Sequence, residues 1–369
     1  MSAAGEAVQA AVPSLVAHLD ADAFYVSIEL TRRPELRGLP VVVSGSGPRA
    51  VVTTASYEAR KYGVGSAMPA SRARRLCPQA VFLPPDFTTY RAVSRKVMDL
   101  VRAHVERVEV VGLDEAYLDL SGLHSPKAAM RRLVAEIKRA TQLSCSVGIG
   151  PNKLVAKVAS DAEKPEGFVV LTREEACARF GGASPGLIPG IGPKTVARLQ
   201  ELGLTTLEGV ANAPEELLVG RFGPNHGRDL RRRARFESDG RVSQERKVVS
   251  ESRERTFDYD LRQFSQLREA LLAMTRSLCD SLAQHQRRGR TIGIKVRLDD
   301  WTTITRARSI PQATNDYDTV AAVALRLLEE NAPERPVRLL GVRVAGLTHG
   351  ELAPKAEPAV GVPQMALPV

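Results

Sequence analysis

The chain is short of the residues that build stapled or metal-knotted folds. Its 369 residues include 4 cysteines, Cys77, Cys145, Cys177 and Cys279, far apart and never in a C-x-x-C spacing. That argues against structural zinc and a disulfide framework, and it fits a reducing cytoplasm. The 6 histidines are equally scattered, which argues against a histidine-built metal centre. No apolar run approaches the roughly 20 residues that a membrane-spanning helix requires. The opening Met1-Ser2-Ala3-Ala4-Gly5-Glu6 carries no basic stretch, so no secretory signal is expected. Acids are also in deficit, 42 against 52 lysines and arginines, for a net charge of +10. Such an excess favours an anionic partner, a nucleic acid or a membrane surface. Hydrophobic residues at 43% and charged residues at 25% are ordinary for a globular protein. A chain of this length has room for about two to four domains.

The acids that are present include three in unusual places. Asp20 ends the apolar stretch Leu15-Val16-Ala17-His18-Leu19, and Asp114 and Glu115 sit between Val108-Glu109-Val110-Val111 and Ala116-Tyr117-Leu118-Asp119-Leu120. A strand end beside a buried sheet is partly desolvated, so adjacent acids there cannot both ionise without a counter-charge. A divalent cation pair held by carboxylates is the common remedy and the usual apparatus of phosphoryl transfer. Taken singly, Asp20 reads as a helix cap and Asp114 as a turn residue.

Residues 15–20 read as a strand and Ala23 to Glu29 as a helix. Strands follow at 40–44 and 50–54, joined by the turn Gly45-Ser46-Gly47-Pro48. Helices are expected near 56–62, 69–76 and 87–104, and a hairpin around Asp114. Met130, Leu133, Val134 and Ile137 fall on one face of a helix over 126–141. Ser144 to Ile149 is another strand, after which Pro151 opens a helix. This order predicts an antiparallel sheet with helices on one face. The hairpin can then lie beside the strand ending in Asp20, which brings the three carboxylates to one edge.

Five strings carry a family resemblance. H-L-D-A-D-A-F-Y-V-S-I-E (18–29) resembles the opening motif of Y-family DNA polymerases. A-S-Y-E-A-R-K-Y-G-V (55–64), L-D-E-A-Y-L-D (113–119), S-V-G-I-G-P-N-K-L-V-A-K-V-A-S-D (146–161) and K-P-E-G (164–167) follow in that family's order and spacing. The likeness spans about residues 15–350 and is nearest to the bacterial DinB type. It implies an α+β multidomain right hand, with a ferredoxin-like palm, small fingers, a helical thumb and an α/β little finger. The implied limits are a flexible N-terminus at 1–13, palm at 14–24 and 87–175, fingers at 25–86 and thumb at 176–240. A linker at 241–249, the little finger at 250–348 and a disordered tail at 349–369 complete the layout.

The resemblance also implies roles. Asp20, Asp114 and Glu115 match the catalytic metal-binding triad, with the backbone carbonyl of Ala21 as a further ligand. Two Mg²⁺ ions suit such hard oxygen donors. Tyr57, Arg60 and Lys164 match a clamp on the triphosphate of a dNTP, and Thr54 adds a hydroxyl. Charge spacing alone favours a solvated helix face for Arg60 and Lys61 and a helix-end cation for Lys164. Asp22 reads as a helix cap. Tyr25 holds the steric-gate position, where a ring against the sugar C2′ refuses ribonucleotides, and Phe24 reads as core. The segment Gly63-Val64-Gly65-Ser66-Ala67-Met68, lined with small side chains, suits an open pocket that tests base-pair shape weakly. Low-fidelity synthesis past damaged bases is the implied function.

Leu187-Ile188-Pro189-Gly190-Ile191-Gly192-Pro193-Lys194-Thr195 resembles a helix-hairpin-helix. Gly190, Gly192 and Lys194 would meet a DNA phosphate. The superficial likeness of Gly192-Pro193-Lys194-Thr195 to a P-loop fails, because Pro193 lacks the N–H that would cradle phosphate. For the basic run Arg228, Arg231, Arg232, Arg233 and Arg235, a solvated helix and DNA contact stand equal. After the polar linker, a second strand, helix, hairpin, helix, strand set follows. Ile292, Ile294 and Val296 should face in, leaving Lys295 and Arg297 outside, and Arg343 is outside on the last strand. A sheet with such a basic open face suits primer–template DNA. Trp301 sits at the hairpin turn without an assigned role. The tail Gln364-Met365-Ala366-Leu367-Pro368-Val369 resembles a peptide that binds a sliding clamp, through Gln364 and Leu367. The protein is expected to be a monomer without a membrane partner. A catalytically silent DNA-binding accessory protein and a nucleotide cyclase are the rival readings. The intact triad and phosphate clamp oppose the first, and the basic second sheet opposes the other.

Overall fold

The computed structural model describes residues 14–245 and 247–349, which belong to two compact units that divide between positions 246 and 247. In the first, β1 (Val16–Ala21), α1 (Phe24–Arg32), β2 (Val41–Ser44), β3 (Val52–Ala55), α2 (Tyr57–Arg60), α3 (Ala70–Leu76) and β4 (Val81–Leu83) come first. Then follow α4 (Phe87–His104), β5 (Val108–Val110), β6 (Glu115–Asp119), α5 (Pro126–Thr141), β7 (Cys145–Gly150), α6 (Lys153–Ala162) and β8 (Phe168–Val170). Short helices α7 (Arg173–Phe180), α8 (Pro193–Gln200), α9 (Leu207–Asn212), α10 (Glu215–Phe222) and α11 (Pro224–Ala234) end the unit.

The palm sheet has the order β5-β6-β1-β7-β8. β1 lies antiparallel between β6 and β7, and β8 runs parallel to β7. That parallel strand departs from the all-antiparallel expectation. One face packs Ala17, Leu19, Leu118 and Val147 against Tyr90, Val97 and Val101 of α4 and Met130, Leu133 and Ile137 of α5. The other face is covered by α6, contrary to the expectation of helices on one face. The reason is visible in β1 and β7, where every residue is buried, as in strands covered on both sides. Gly148 allows this contact: a Cβ there would stand 2.1 Å from the Ala156 carbonyl oxygen. Pro151 does not open α6. Asn152 is its N-cap, and its side chain accepts a hydrogen bond from the Val155 N–H at 3.0 Å. An amide oxygen satisfies a free helical N–H that proline cannot serve, so proline is displaced one residue outward.

The fingers are a small sheet of order β3-β2-β4 over Val42, Val52, Ala55, Ala59 and Val64. Ser56 caps α2, its hydroxyl accepting from the Ala59 N–H. The thumb helices surround Ile188, Leu199, Leu207, Leu218, Leu230 and Phe236. The basic run on α11 is largely engaged within the thumb. Arg228 pairs with Glu215, Arg232 with Asp229, and Arg231 and Arg235 donate to the Ala213 and Ala211 carbonyls. The segment after α11 leans on the palm edge: the Ser243 N–H donates to Glu109, and the Gln244 side chain donates to the Glu106 carbonyl.

The second unit contains β9 (Ser250–Leu261), α12 (Phe264–Gln284), β10 (Arg287–Leu298), β11 (Thr303–Thr314), α13 (Tyr317–Glu329) and β12 (Val337–His349). Its antiparallel sheet has the order β11-β10-β12-β9. Leu267, Leu271, Leu278 and Leu282 of α12 and Val320, Ala324 and Leu328 of α13 cover Ile292, Ile294, Val296, Val342 and Val344. Lys295, Arg297 and Arg343 lie on the opposite face, as the alternation predicts. The clamp-type peptide with Gln364 and Leu367 lies outside the described residues.

Gly148→Ala should cost about 3 kcal/mol of stability, because backbone rather than a flexible side chain blocks the added methyl. Urea unfolding of the full chain measures this, and a loss below about 1 kcal/mol would contradict the tight α6–β7 packing.

Candidate active site

Strand pairing assembles the acids. Asp20 and Glu115 are direct cross-strand partners in the β1–β6 register. One residue on, the Ala21 N–H donates to the Asp114 carbonyl at 2.9 Å. The expected convergence of Asp20 with the Asp114–Glu115 turn is therefore present. Ligand atoms of His18, Asp20 and Glu115 lie within 4.8 Å of one another. The Asp114 carboxylate stands outside that trio, yet close enough to feel it. Burial and then repulsion from Asp20 and Glu115 push its pKa up to about 6. Glu115 shifts the other way, to about 2, through His18 and Lys157, which outweigh burial.

The counter-charge comes from α6 and the loop after it. Lys157 Nζ sits 3.1 Å from Asp20 Oδ2 and 2.9 Å from Glu115 Oε2. Lys164 Nζ bridges Asp20 Oδ1 and Asp161 Oδ1, both at 2.8 Å. Burial pulls the Lys164 pKa down, but Asp20 and Asp161 hold it above the ordinary value. His18 is fully buried, with Nδ1 at 2.8 Å from Ser160 Oγ and Nε2 at 3.3 Å from Glu115 Oε2, the latter out of hydrogen-bond alignment. Lys157, Asp161 and His18 had no assigned role on sequence. The i,i+4 spacing of Lys157 and Asp161 is the local signal that pairs them. The scattered histidines made His18 look unconnected.

Arg60 lies over the Tyr57 ring, 4.6 Å from its centroid, and its Nε–H donates to the Ala55 carbonyl. Thr54 is buried in β3, paired with Val43. Asp22 is not a cap: α1 starts from Ala23 with no side-chain cap. Instead, buried Asp22 accepts from Ser146 Oγ at 2.8 Å, the Glu166 N–H at 2.9 Å and the Tyr57 hydroxyl at 3.4 Å. Those partners outcompete a helix end because they come from three directions around a desolvated carboxylate. Phe24 is core, as expected. Tyr25 is half-buried against Phe87 and Tyr90, with ring centroids 5.9 and 4.7 Å away. Burial and the charge of Asp114 raise its pKa.

The thumb and the second unit carry the other candidates. Gly190 and Gly192 lie in the thumb turn leading into α8, Lys194 is the second residue of that helix, and Gly190 alone of the two glycines needs its freedom, at φ 86°. Arg233 closes on this turn by donating to the Pro189 carbonyl. In the second unit Lys295 is paired with Glu254 at 2.8 Å, Arg297 donates to Thr303 Oγ1, and Arg343 is exposed. Among the described residues, no helix is long and apolar enough to cross a membrane.

An acidic strand cluster with lysines beside it, on a mixed sheet joined to small fingers and a helical thumb, is the layout of a hand-shaped polymerase. Residues 19–161 match the impB/mucB/samB family, and residues 248–357 match that family's C-terminal domain. Similar proteins named DNA polymerase IV occur in Methanoculleus marisnigri, 40% identical over 91% of this chain and 95% of that protein, and in Xanthomonas axonopodis pv. citri, 38% identical over 91% and 95%. Another, in Streptomyces coelicolor, is 39% identical over 90% of this chain and 71% of the relative. Among solved structures, a Y-family DNA polymerase chimera superposes with a TM-score of 0.80 at 26% identity, over 91% of this chain and all of its own. The chain belongs to the impB/mucB/samB family.

The pKa shifts set a pH signature. Between about pH 4 and 6 folded Asp114 keeps a proton that the unfolded chain gives up, so its contribution to stability falls as pH rises. Glu115 contributes the opposite, stability present above pH 4.5 and lost as pH falls towards 2. Asp114→Asn should therefore gain stability relative to wild type as pH rises from 4 to about 6.5 in chelated buffer. Parallel urea curves across that range would contradict a desolvated, repelled Asp114.

Proposed function

We propose that the chain is a template-directed DNA polymerase that adds deoxynucleotides to a primer 3′ end by metal-dependent phosphoryl transfer, with low fidelity and past damaged template bases. The observation that carries this reading is the delivery of Asp20, Asp114 and Glu115 to one sheet end beside Lys164. The family supports it, since its DNA polymerase IV members match over nearly the whole chain. The donor set fits a hard divalent cation: the oxygens are carboxylates, and the repulsion felt by Asp114 is what a cation relieves. Asp20, Asp114, Glu115 and the Ala21 carbonyl would hold two Mg²⁺ ions, which when bound acidify the primer hydroxyl and neutralise the triphosphate.

The chain's own residues do the rest. Lys164, with Tyr57, Arg60 and Thr54, takes the triphosphate of a dNTP, an Arg fork and a Lys point charge dividing the oxygens. Asp22 holds Tyr57 and the loop at Glu166 in place for that contact. Tyr25, braced by Tyr90 and Phe87, closes the space a 2′-hydroxyl would need. Gly190, Gly192 and Lys194 meet a DNA backbone phosphate, and the outer face with Lys295, Arg297 and Arg343 follows the duplex. The palm, fingers, thumb and little finger take the limits given above. Gln364 and Leu367 attach a monomeric enzyme to a sliding clamp, in the cytoplasm.

Primer extension on damaged and undamaged templates with Mg²⁺ tests the reading. Asp114→Ala should lower extension by roughly a thousandfold or more while DNA binding persists. Near-normal extension by that variant would remove the triad from the reaction, and no extension by wild type would leave a DNA-binding accessory protein. Separately, Tyr25→Ala should raise ribonucleotide incorporation, read as the ratio of kcat/KM for ribo- and deoxynucleotide; an unchanged ratio refutes the gate.

A further inference from the structure

Two ammonium groups already lie on the oxygens assigned to metal. Both oxygens of Asp20 are engaged, Oδ2 by Lys157 and Oδ1 by Lys164, and Glu115 Oε2 shares Lys157. A divalent cation on these oxygens would stand within a few ångströms of Lys157, where like charges repel strongly in a half-buried site. The backbone of α6 is fixed by its buried face, Leu154, Val155, Ala156, Val158 and Ala159, which packs closely on β7 where Gly148 leaves room. The flexible four-carbon stem of lysine can. A second carboxylate is within reach: Asp161, one helical turn along α6 and half-exposed, already lies 3.5 Å from Lys157 Nζ.

We propose that Lys157 is a resident counter-ion of the carboxylate cluster, which an arriving divalent cation displaces onto Asp161. This rests on the metal reading above and adds a positioning residue to it. Lys157 keeps Asp20 and Glu115 together against their repulsion, at the cost of weaker cation binding by the free protein. The arrangement also couples ligands. Lys164 bridges Asp20 and Asp161, so a triphosphate that draws Lys164 away frees one oxygen of Asp20 for the cation and one of Asp161 for Lys157. Nucleotide and metal then bind with positive cooperativity, and neither is held well alone.

The test is a titration of the full-length chain with Mn²⁺, followed by electron paramagnetic resonance, without DNA or nucleotide. Lys157→Met should bind Mn²⁺ about tenfold more tightly than wild type, and Lys157→Gln should shift in the same direction. Asp161→Asn should bind several-fold more weakly, because Lys157 loses its alternative partner. Circular dichroism and urea midpoints establish that each variant is folded, and whichever of the two Lys157 variants folds suffices. Mn²⁺ affinity in a folded Lys157 variant equal to or below wild type would overturn the inference while leaving the metal site standing. No Mn²⁺ binding by wild type or by any folded Lys157 variant would remove the metal reading and this inference together.

Discussion

The structure turns on a conflict between strand pairing and charge. The β1–β6 register places Asp20 opposite Glu115, and the turn before β6 adds Asp114 next to Ala21. Hydrogen bonding of the ladder and burial of Leu19, Leu118 and Val147 hold the strands in that register whatever the acids prefer. The carboxylates must then be neutralised by cations or protons. Lys157 and Lys164 supply two positive charges, and at Asp114, where burial and the neighbouring acids outweigh Lys164, the pKa is raised to about 6. A site of that kind is a receiver for divalent cations because the fold has already concentrated negative charge there.

Helix α6 links packing to chemistry. Its close contact with β7, permitted by Gly148, covers the second face of the sheet and carries Lys157, Ser160 and Asp161 to the acidic edge. The loop that follows adds Lys164 and, through the Glu166 N–H, ties itself to Asp22. Asp22 in turn reaches Ser146 on β7 and Tyr57 of the fingers. One buried carboxylate thereby joins palm, fingers and the lysine loop.

Much of this was legible from residues. The 126–141 helix, the hairpin at Asp114 and the inward set Ile292, Ile294 and Val296 followed from periodicity, because each lies on an element with one wet face. Reading failed where elements are buried on both sides. β1 and β7 show no alternation, so the helix over their second face was invisible. β8 was missed because a three-residue edge strand leaves little pattern. Asp22 looked like a cap because it precedes a helix, and only tertiary partners distinguish the two roles. Lys157 and Asp161 could have been paired by spacing, but nothing local says that their helix leans on the acids. The α11 arginines were ambiguous by charge, and their partners Glu215, Asp229 and the Ala211 and Ala213 carbonyls come from the thumb's own packing.

The central claim is that these three acids form one cation-binding centre. Anomalous diffraction from crystals grown with Mn²⁺, primer–template DNA and a non-hydrolysable deoxynucleotide addresses it directly. The account predicts Mn²⁺ peaks within coordination distance of Asp20, Asp114 and Glu115, with Lys164 turned to the triphosphate. Peaks confined to other carboxylates, or Asp114 left outside every coordination sphere, would contradict it.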